Sequence, residues 1–430
     1  MRVAIVGTGI AGLVAAYRLA PQHELTVFEA NDYVGGHTHT IPVRRFGRDY
    51  AVDTGFIVFN ERTYPHFIQL LDELAVASQP TTMSFSVRCE RSGLEYNGTN
   101  LNRLFAQRRN LLRPAFHRMV ADILRFYREA PAHVRAQARD ESLTLGEYLE
   151  RGAYSRAFVA WHILPLGAAV WSTEPRRMLE FPARYLIEFF GRHGFLQVRN
   201  RPGWRVVRGG SSRYVAPLIR SFRDRIRLRS PVRAIARTPA AVAITSPGGG
   251  TERFDAVVIA THSDQALGLL SDPSRAEREV LGAMTYQRNE TILHTDARLL
   301  PRCRRAWAAW NYCVPPVASD AAAVTYNMNL LQDLESPEPF CVTLNRTADV
   351  DPAKVIARMT YHHPLYTYAT IAAQRRWAEV NGVNRTYFCG AYWGHGFHED
   401  GVRSALAVVS HLQMPRRTLG AYAGVQDSAA

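Results

Sequence analysis

The first thirty residues constrain the fold more than any other part of the chain. A short apolar run of β-forming residues, Val3–Val6, leads directly into the turn Gly7-Thr8-Gly9-Ile10-Ala11-Gly12, and Leu13–Leu19 follows with a helical pattern. A second strand, Glu24–Phe28, ends in Glu29. Strand, glycine turn, helix, strand and acidic residue in this order predict a Rossmann-like unit that binds a dinucleotide.

The three glycines of this turn are expected to have separate tasks. Gly7 permits the tight turn, Gly9 leaves room for a pyrophosphate, and Gly12 lets the helix pack close to the strand. The phosphates would lie at the helix N-terminus, where free N–H groups and the helix dipole favour negative charge. Glu29 would accept hydrogen bonds from the ribose of an adenosine.

Four further segments have recognisable spacing. Glu29–Thr38 contains E-x5-G-G, Val52–Phe56 contains D-x-G, and Asp255–Thr261 is D-x-V-V-x-A-T. Thr386–Val402 has the pattern of a strand, a glycine turn and a helix. In this order the segments resemble the flavin-dependent amine oxidase superfamily, and above all its bacterial NAD/FAD-binding amine-oxidase-like members. Phytoene desaturases, protoporphyrinogen oxidase and flavin fatty-acid isomerases are related to it.

The resemblance implies FAD, bound without a covalent link. A helix beginning near Asp400-Gly401 would direct its N–H groups at the flavin edge that becomes negative on reduction. The cofactor-binding residues implied by the motifs are Gly7, Gly9, Ile10, Ala11, Gly12, Glu29, Ala30, Gly35, Gly36, His37, Thr38, Gly55, Phe56, Val232, Thr261, Gly390, Glu399, Asp400, Gly401 and Val402.

The order of the motifs also predicts the domain organisation. We expect an α/β fold in which a Rossmann-like FAD-binding domain of the GR2 type is interleaved with a mixed α+β substrate domain. The FAD-binding domain would comprise residues 1–75, 205–270 and 380–415, and the substrate domain residues 76–204 and 271–379. Residues 416–430 are predicted to be a disordered tail.

Residue patterns predict elements between the motifs. Apolar faces at helical spacing predict helices at Leu101–Tyr127 and Leu143–Arg151. The apolar run Ala157–Trp171 is too short to span a bilayer and predicts a buried helix. Strands are predicted at Ile226–Leu228, Val232–Ile235, Ala241–Thr245, Phe254–Ala260, Thr291–Thr295, Ala323–Met328 and Phe340–Leu344.

The charge balance permits anionic partners. Lysine and arginine total 52 against 38 acidic residues, for a net charge of +14, and Lys354 is the only lysine. No RRM, zinc-finger or helix-turn-helix pattern accompanies the charge, so a nucleic acid is not expected. Arg103–Arg128 alternates apolar residues and arginines. We interpret it as a helix able to rest on anionic lipid headgroups, with a solvated surface helix as the alternative.

Two departures from the family pattern, at the lysine and at the acidic position, weaken an amine oxidase interpretation, whereas the aromatic position is matched. Amine oxidases of the family carry a lysine near flavin N5, and the context of Lys354, DPAKVIARMTYHHP, does not match that segment. The position beside the glycine turn, usually acidic, is Tyr392. The aromatic residue that helps to hold an amine is matched by Phe397.

Few titratable residues are needed if the reaction occurs in a dry apolar tunnel. His395 and His398 lie closest in sequence to the flavin motif and are the first candidates for a proton acceptor, with Tyr392 as a further catalytic candidate. His362-His363 is a second pair, of which at most one would face the site from a strand. The spacing H-x-x-H at 395–398 has no third ligand, so no metal is expected.

The sequence therefore predicts an FAD-dependent oxidoreductase acting on an apolar, fatty-acyl or other lipid-like substrate, by desaturation or a double-bond shift with hydride transfer to flavin N5. The alternatives are an amine oxidase or protoporphyrinogen-oxidase-like enzyme, and a flavin-binding partner protein without redox turnover. The resemblance also implies a lipid-modifying methyltransferase as partner. Five scattered cysteines favour a reducing compartment, and we expect a cytoplasmic protein, with membrane-peripheral association as the alternative.

Overall fold

Two large sheets organise the fold. The computed structural model describes residues 1–136, 143–248, 250–317 and 320–413. The predicted tail, residues 416–430, lies outside these ranges. The strands are β1 (Arg2–Val6), β2 (Glu24–Phe28), β3 (Thr40–Arg45), β4 (Arg48–Asp53), β5 (Phe59–Asn60), β6 (Ser78–Pro80), β7 (Phe85–Cys89), β8 (Leu94–Asn97), β9 (Trp204–Val207), β10 (Ile226–Arg227), β11 (Ala234–Arg237), β12 (Val242–Ser246), β13 (Gly250–Phe254), β14 (Ala256–Ile259), β15 (Tyr286–His294), β16 (Trp310–Val314), β17 (Val324–Asn327), β18 (Cys341–Leu344), β19 (Val355–Pro364) and β20 (Thr386–Phe388).

Helices cover both sheets. They are α1 (Ile10–Leu19), α2 (Pro65–Glu73), α3 (Leu101–Leu104), α4 (Pro114–Ala136), α5 (Leu145–Arg151), α6 (Arg156–Phe158), α7 (Leu164–Trp171), α8 (Ala183–Arg192), α9 (Val215–Ile219), α10 (Ser263–Leu269), α11 (Arg275–Gly282), α12 (Met328–Gln332), α13 (Tyr368–Arg375), α14 (Trp377–Val380) and α15 (His398–Gln413). Within the described ranges, none of these helices has the length and apolarity needed to cross a membrane.

The first sheet is parallel and contains the N-terminal glycine turn. Its order is β10-β2-β1-β14-β20. β1 is central, pairing in parallel with β2 on one side and β14 on the other, and β20 extends the sheet beyond β14. The predicted α/β fold is thereby confirmed. The five strands come from all three stretches expected to form the FAD-binding domain, whose boundaries remain a prediction.

The second sheet is mixed and has seven strands. Its order is β19-β15-β18-β17-β16-β7-β8, in which only the β16–β7 pair among these neighbours is parallel. The largest hydrophobic core lies between this sheet and the helices of residues 101–196, and includes Phe116, Phe158 and Phe190. Three antiparallel groups, β11-β12-β13, β3-β4 and β5-β9-β6, complete the fold.

The predicted helix Leu101–Tyr127 is wrong as a single element. The chain forms α3, then a 3₁₀ helix at Arg108–Leu112, then α4 from Pro114. Arg113 is extended, with φ −100° and ψ 106°, because a residue before proline disfavours the helical conformation. Proline at the first helical turn starts α4 without losing a backbone hydrogen bond.

Most predicted strands appear with small shifts. The exceptions are Val232–Ile235, which is observed as Ala234–Arg237, Thr291–Thr295, which is part of the longer strand Tyr286–His294, and Phe254–Ala260, which is two elements. Asp255 separates β13 from β14, and its backbone and side chain both bond to the backbone of Arg2. The apolar run Ala157–Trp171 is helical, with a π-helical segment at Val159–Ile163 between α6 and α7.

Candidate active site

The glycine turn between β1 and α1 is open on one side only. Gly7 has φ +101°, and a Cβ on Gly12 would collide with the carbonyl oxygen of Gly7. A Cβ on Gly9 would have no atom within 4 Å. Gly9 precedes α1, whose first N–H groups, those of Ile10, Ala11 and Gly12, have no partner within the helix. Together, the open side and these donors form a cradle for an anion.

Glu29 is buried at the carboxyl end of β2. Its Oε2 accepts hydrogen bonds from the backbone N–H of Thr8 at 3.0 Å and from the Thr8 hydroxyl, and its Oε1 accepts from the N–H of Asn31 at 2.8 Å. Ala30 is exposed beside it. The Glu29 carbonyl accepts from Ser230, which brings the loop that contains the buried Val232 alongside. The carboxylate is thus oriented by the glycine turn.

Two loops with sequence motifs close over the glycine turn. Gly36 has φ +59°, and a Cβ on it would lie 3.0 Å from the Cα of Gly9. The carbonyl of His37 accepts from the N–H of Phe56 at 2.7 Å, and a Cβ on Gly55 would collide with that carbonyl. On the other side of the turn, the Thr261 methyl lies 3.5 Å from the Cβ position of Gly7. These close approaches bring the three motifs to one place.

Asp53 ties these loops to the rest of the molecule. It is fully buried and accepts from the Ser211 N–H at 2.8 Å, the Thr40 hydroxyl at 2.6 Å and the Gln332 side-chain amide at 3.1 Å. Burial raises the pKa of Asp53 to about 6, although the hydrogen bonds from Thr40 and Ser211 act against that shift. A single carboxylate therefore joins β3, β4, α12 and the turn after β9.

The N-terminus of α15 meets α1 below the glycine turn. A Cβ on Gly401 would lie 2.7 Å from the Ile10 side chain, and Val402 is buried in the same core. Gly390, after β20, donates its N–H to the Ser404 hydroxyl at 2.9 Å. The helix terminus and the turn after β20 are therefore held together next to α1.

The two acidic side chains at this terminus bind protein N–H groups. Glu399 accepts hydrogen bonds from the N–H of Phe67 at 2.9 Å and from that of His66 at 3.1 Å. These two N–H groups lie in the first turn of α2 and have no partner within that helix. Asp400 accepts from the N–H groups of His395 and Phe397 at 2.9 and 3.0 Å and pairs with Arg403. The two carboxylates therefore hold the start of α2 and the turn 395–397 against the N-terminus of α15.

His398 is buried and firmly positioned. Its ring stacks on Phe56 with centroids 3.7 Å apart, and its Nε2 is 2.8 Å from the Tyr214 hydroxyl, which in turn bonds to Thr38. Burial lowers the pKa of His398 to about 3, and the neighbouring His37 adds to that effect. The imidazole is neutral at neutral pH and is a weak proton acceptor.

The other two predicted catalytic residues have different surroundings. His395 stacks on Tyr185 at 4.4 Å, and burial lowers its pKa to about 3. Tyr392 is buried in the core beside Trp393, and its hydroxyl has no hydrogen-bond partner among the described residues. The three candidates therefore do not form one hydrogen-bonded group.

Four histidines meet where the two sheets approach each other. The ring of His37 lies 5.6 Å from that of His363 and 6.2 Å from that of His262, which lies 5.9 Å from that of His362. His363 therefore neighbours His37 and His362 neighbours His262, and which of the two strand histidines faces the catalytic site remains a prediction. We call His37, His262, His362 and His363 the histidine cluster. Burial lowers the pKa of His37 to about 4 and that of His363 to about 3.

An aromatic wall lies between α7, α8 and the turn 390–397. Phe397 packs against both of the two largest hydrophobic cores. Phe189 of α8 stacks on Phe397 at 4.8 Å and on His193 at 3.8 Å. Trp171 donates its indole N–H to the His395 carbonyl at 3.2 Å. The wall, Trp171, Tyr185, Phe189, His193 and Phe397, is uncharged because burial lowers the pKa of His193 to about 4.

Lys354 lies away from these groups. It precedes β19 in a short 3₁₀ helix, is partly exposed, and pairs with Glu338 at 3.6 Å. Across the described ranges, no three His, Cys, Asp or Glu side chains are arranged to hold a metal ion. Lys354 therefore lies outside the candidate site.

Residues 10–296 match the family described as flavin containing amine oxidoreductase. That match covers more than half of the chain. The chain belongs to the flavin-containing amine oxidoreductase family. The resemblance expected from the motifs is thus confirmed, and FAD is the cofactor that this family implies.

Relatives and solved structures show the breadth of this family. The chain is 29% identical over 261 residues to flavin-containing monoamine oxidase AofH of Mycobacterium tuberculosis, covering 58% of this chain and only 54% of that protein. Cyclohexylamine oxidase from Brevibacterium oxydans has a similar fold, with TM-score 0.68, 17% identity and coverage of 96% and 99% of the two chains. A conjugated-linoleic-acid-producing fatty acid isomerase from P. acnes matches with TM-score 0.67, 16% identity and coverage of 96% and 99%.

The residues of this flavoenzyme fit FAD. The open side of Gly9 and the free donors of α1 suit a pyrophosphate, and the oriented carboxylate of Glu29 suits a ribose. Several of the residues named from the sequence lie around the turn between β1 and α1: the glycines of the turn, Gly36, His37, Gly55, Phe56, Gly401 and Val402. Their contacts with FAD remain predictions.

Several residues of the site were not predicted. His262 directly follows the D-x-V-V-x-A-T motif, so its position was a usable signal. Tyr214 and Tyr185 lie in no motif, and only the folded chain brings them to His398 and His395. Asp53 belongs to a recognised motif, but its partners are 13 to 279 residues away.

Acid is expected to destabilise the fold. His294 shows why: its Nδ1 accepts from the Asp296 N–H at 3.0 Å and its Nε2 bonds to Thr343 at 2.7 Å, so the neutral ring is required. Burial lowers its pKa to about 4. A histidine with a lowered folded pKa stabilises the fold above its unfolded pKa of 6.5, and that stability is lost as pH falls toward 4.

The loss should be about 1.4 kcal/mol per such histidine for each pH unit below 6.5. Asp53 acts in the opposite sense between pH 6 and 3.8, because its pKa is raised. Denaturant unfolding measured across this range should show the fall in the free energy of unfolding. His294→Asn keeps an acceptor without a titrating ring and should show a shallower dependence, whereas an unchanged slope would contradict this assignment.

Proposed function

We propose that this enzyme acts on an apolar, fatty-acyl or similar lipid-like substrate, by desaturation or by a double-bond shift. The observation that carries the proposal is the aromatic wall. Phe397 is half-buried where the two largest cores meet, beside the turn that leads into α15, and it packs on the buried Phe189, which contacts the buried Trp171. An alkyl chain gains free energy from contact with such a surface, at about 25 cal/mol for each Å² removed from water.

The carboxylates near the wall favour a neutral substrate over an ammonium. Asp400 is occupied by two backbone N–H groups and Arg403, and Glu399 by two backbone N–H groups and His66. A buried ammonium requires a paired anion, and breaking these bonds to supply one would leave buried donors unsatisfied.

The residues of the protein would position the substrate and exclude water from the reaction site. FAD, when bound, would accept a hydride from one substrate carbon; a desaturation would release a proton from the neighbouring carbon to water, and a double-bond shift would return the hydride to the substrate. His398 and His395 are held neutral with a pKa of about 3, so we assign them to positioning rather than to proton removal. His398 links Phe56 to Tyr214 and Thr38, and thereby fixes the loops that cover the glycine turn.

Anaerobic absorbance of the purified holoenzyme tests this proposal. A cis-monounsaturated fatty acid should bleach the flavin band if the reaction is a desaturation. If it is a double-bond shift, the same mixture should contain an isomer by mass spectrometry after derivatisation. Phe397→Ala should slow either signal by about tenfold, the loss expected for about 1.4 kcal/mol of lost contact. Phe46→Ala, which changes an exposed aromatic residue, is the matched control.

A primary or secondary amine is the second candidate substrate, favoured by the similarity to AofH. Bleaching by amines in parallel with no change in the fatty acid would overturn the lipid proposal and support amine oxidation. Absence of either signal from a yellow protein would favour a flavin-binding partner without turnover. The resemblance also implies a lipid-modifying methyltransferase as a binding partner. This remains a prediction, which co-purification of such an enzyme with the native chain would test.

A further inference from the structure

Three leucines are displayed to solvent on one short segment of the substrate domain. Leu101 is 75% exposed at the start of α3, and Leu111 and Leu112 are 50% and 87% exposed in the 3₁₀ helix before α4. Leu124, farther along α4, is 54% exposed. Grouped exposure of large aliphatic side chains is uncommon on a protein surface and indicates a binding face.

The backbone beneath these leucines is well supported. Asn100 caps α3 through the N–H of Arg103 at 2.9 Å, and Arg108 bonds to the Asn102 side chain at 2.6 Å. The ring Nε2 of His117 lies 2.8 Å from the Leu111 carbonyl oxygen. The segment is therefore a built surface that presents its leucines, not a frayed end.

Arginines surround the leucines without nearby exposed acids. Residues 96–121 and 297–306 contain no Asp or Glu. The two stretches adjoin, because the Cys303 thiol lies 3.5 Å from the Ala106 carbonyl and the Arg302 N–H bonds to Glu95. The exposed arginines of this face are Arg108, Arg109, Arg302, Arg304 and Arg305.

A recess of about 370 Å³ opens in the same face. Its lining includes Arg88, Arg109 and Arg302, together with Glu90 and Glu95. Both acids are already bound: Glu95 accepts from the N–H groups of residues 302 and 303 at 2.8 Å, and Glu90 pairs with Arg88 and Arg346. Exposed arginines at the mouth remain able to meet a phosphate.

We propose that this face, defined by Leu101, Leu111 and Leu112 with the surrounding arginines, docks on an anionic lipid bilayer. Arginines bind lipid phosphates while aliphatic side chains enter the boundary between headgroups and acyl chains. A nucleic acid would suit the charge but would leave the leucines in water. The surface thus differs from the basic helix expected from the sequence, because the break at Pro114 turns α3 and the 3₁₀ helix outward. The inference does not depend on the substrate proposed above.

Sedimentation of the holoenzyme with vesicles tests the proposal. Binding is expected to vesicles of equal parts phosphatidylcholine and phosphatidylglycerol, and not to phosphatidylcholine alone. Leu111→Ser/Leu112→Ser should weaken binding by about tenfold, and Arg302→Gln/Arg305→Gln by about fivefold for each arginine. Each variant should keep its flavin content, since neither pair contacts the candidate active site in the structure.

Controls distinguish binding through this surface from non-specific attraction of the positively charged protein to anionic vesicles. Arg220→Gln/Arg223→Gln removes two exposed arginines of the other domain and should leave vesicle binding unchanged. Equal binding to neutral and anionic vesicles would overturn the proposal, as would wild-type binding by the double-serine variant. If duplex DNA displaces the vesicles while the leucine variant still binds them normally, the face is a polyanion site and the bilayer proposal fails.

Discussion

Replacing Gly9 by valine is expected to remove bound FAD while the chain remains folded. The backbone at Gly9, with φ −64° and ψ 173°, is accessible to any residue. Its Cβ position is open, so the protein itself tolerates a side chain there. The branched side chain would instead fill the cradle that the first N–H groups of α1 form for a pyrophosphate.

The ratio of flavin to protein absorbance measures this effect, and we expect a fall of at least about tenfold, corresponding to ~1.4 kcal/mol. Gly268→Val is the matched control, because Gly268 lies in α10 and its Cβ position is equally open. Circular dichroism should be similar for all three proteins. A Gly9→Val variant that retains its full flavin content would refute the placement of the cofactor phosphates.

Replacing Asp53 by alanine is expected to cost about 3 kcal/mol of the free energy of unfolding. The change leaves the Ser211 N–H, the Thr40 hydroxyl and the Gln332 amide without their buried acceptor. Since Thr54 and Gly55 follow Asp53 directly, the loop over the glycine turn should also loosen. We therefore expect a lower flavin content together with the loss of stability.

Denaturant unfolding with and without added FAD distinguishes the two effects. Asp53→Asn retains one acceptor oxygen and the shape of the side chain, so it should lose less stability than alanine. Asp32→Ala, at an exposed aspartate with one distant arginine partner at 3.5 Å, should behave like the wild type. If Asp53→Ala unfolds at the wild-type denaturant concentration, the carboxylate does not stabilise the site.

The parts of the fold that local sequence dictates were predictable. β1, α1 and β2 follow from an apolar run, three glycines and a second apolar run within 28 residues. The helix across Leu101–Tyr127 was mispredicted because the helical spacing of apolar residues continues through Arg113-Pro114. The backbone, however, is extended at Arg113, since the residue before a proline disfavours the helical conformation. Periodicity and proline gave opposite signals, and proline decided the structure.

The site was less accessible to sequence reasoning because its contacts are distant along the chain. Glu399 was expected to act near a cofactor, yet its carboxylate satisfies α2, more than 330 residues earlier. Spacing around position 399 carries no information about that partner. His363 and His37 likewise meet only because β19 is placed at the edge of the seven-stranded sheet.

The position of β20 in the first sheet has a consequence for the synthesis of the protein. β14 ends at Ile259, but its outer neighbour β20 ends at Phe388, so some 130 residues must be translated before that edge is paired. At an elongation rate of about 5–20 residues per second, this interval lasts about 10 s. During it, the apolar edge of β14 is a target for ribosome-associated chaperones. A nascent chain arrested before residue 386 should therefore require them, whereas the released full-length chain should not.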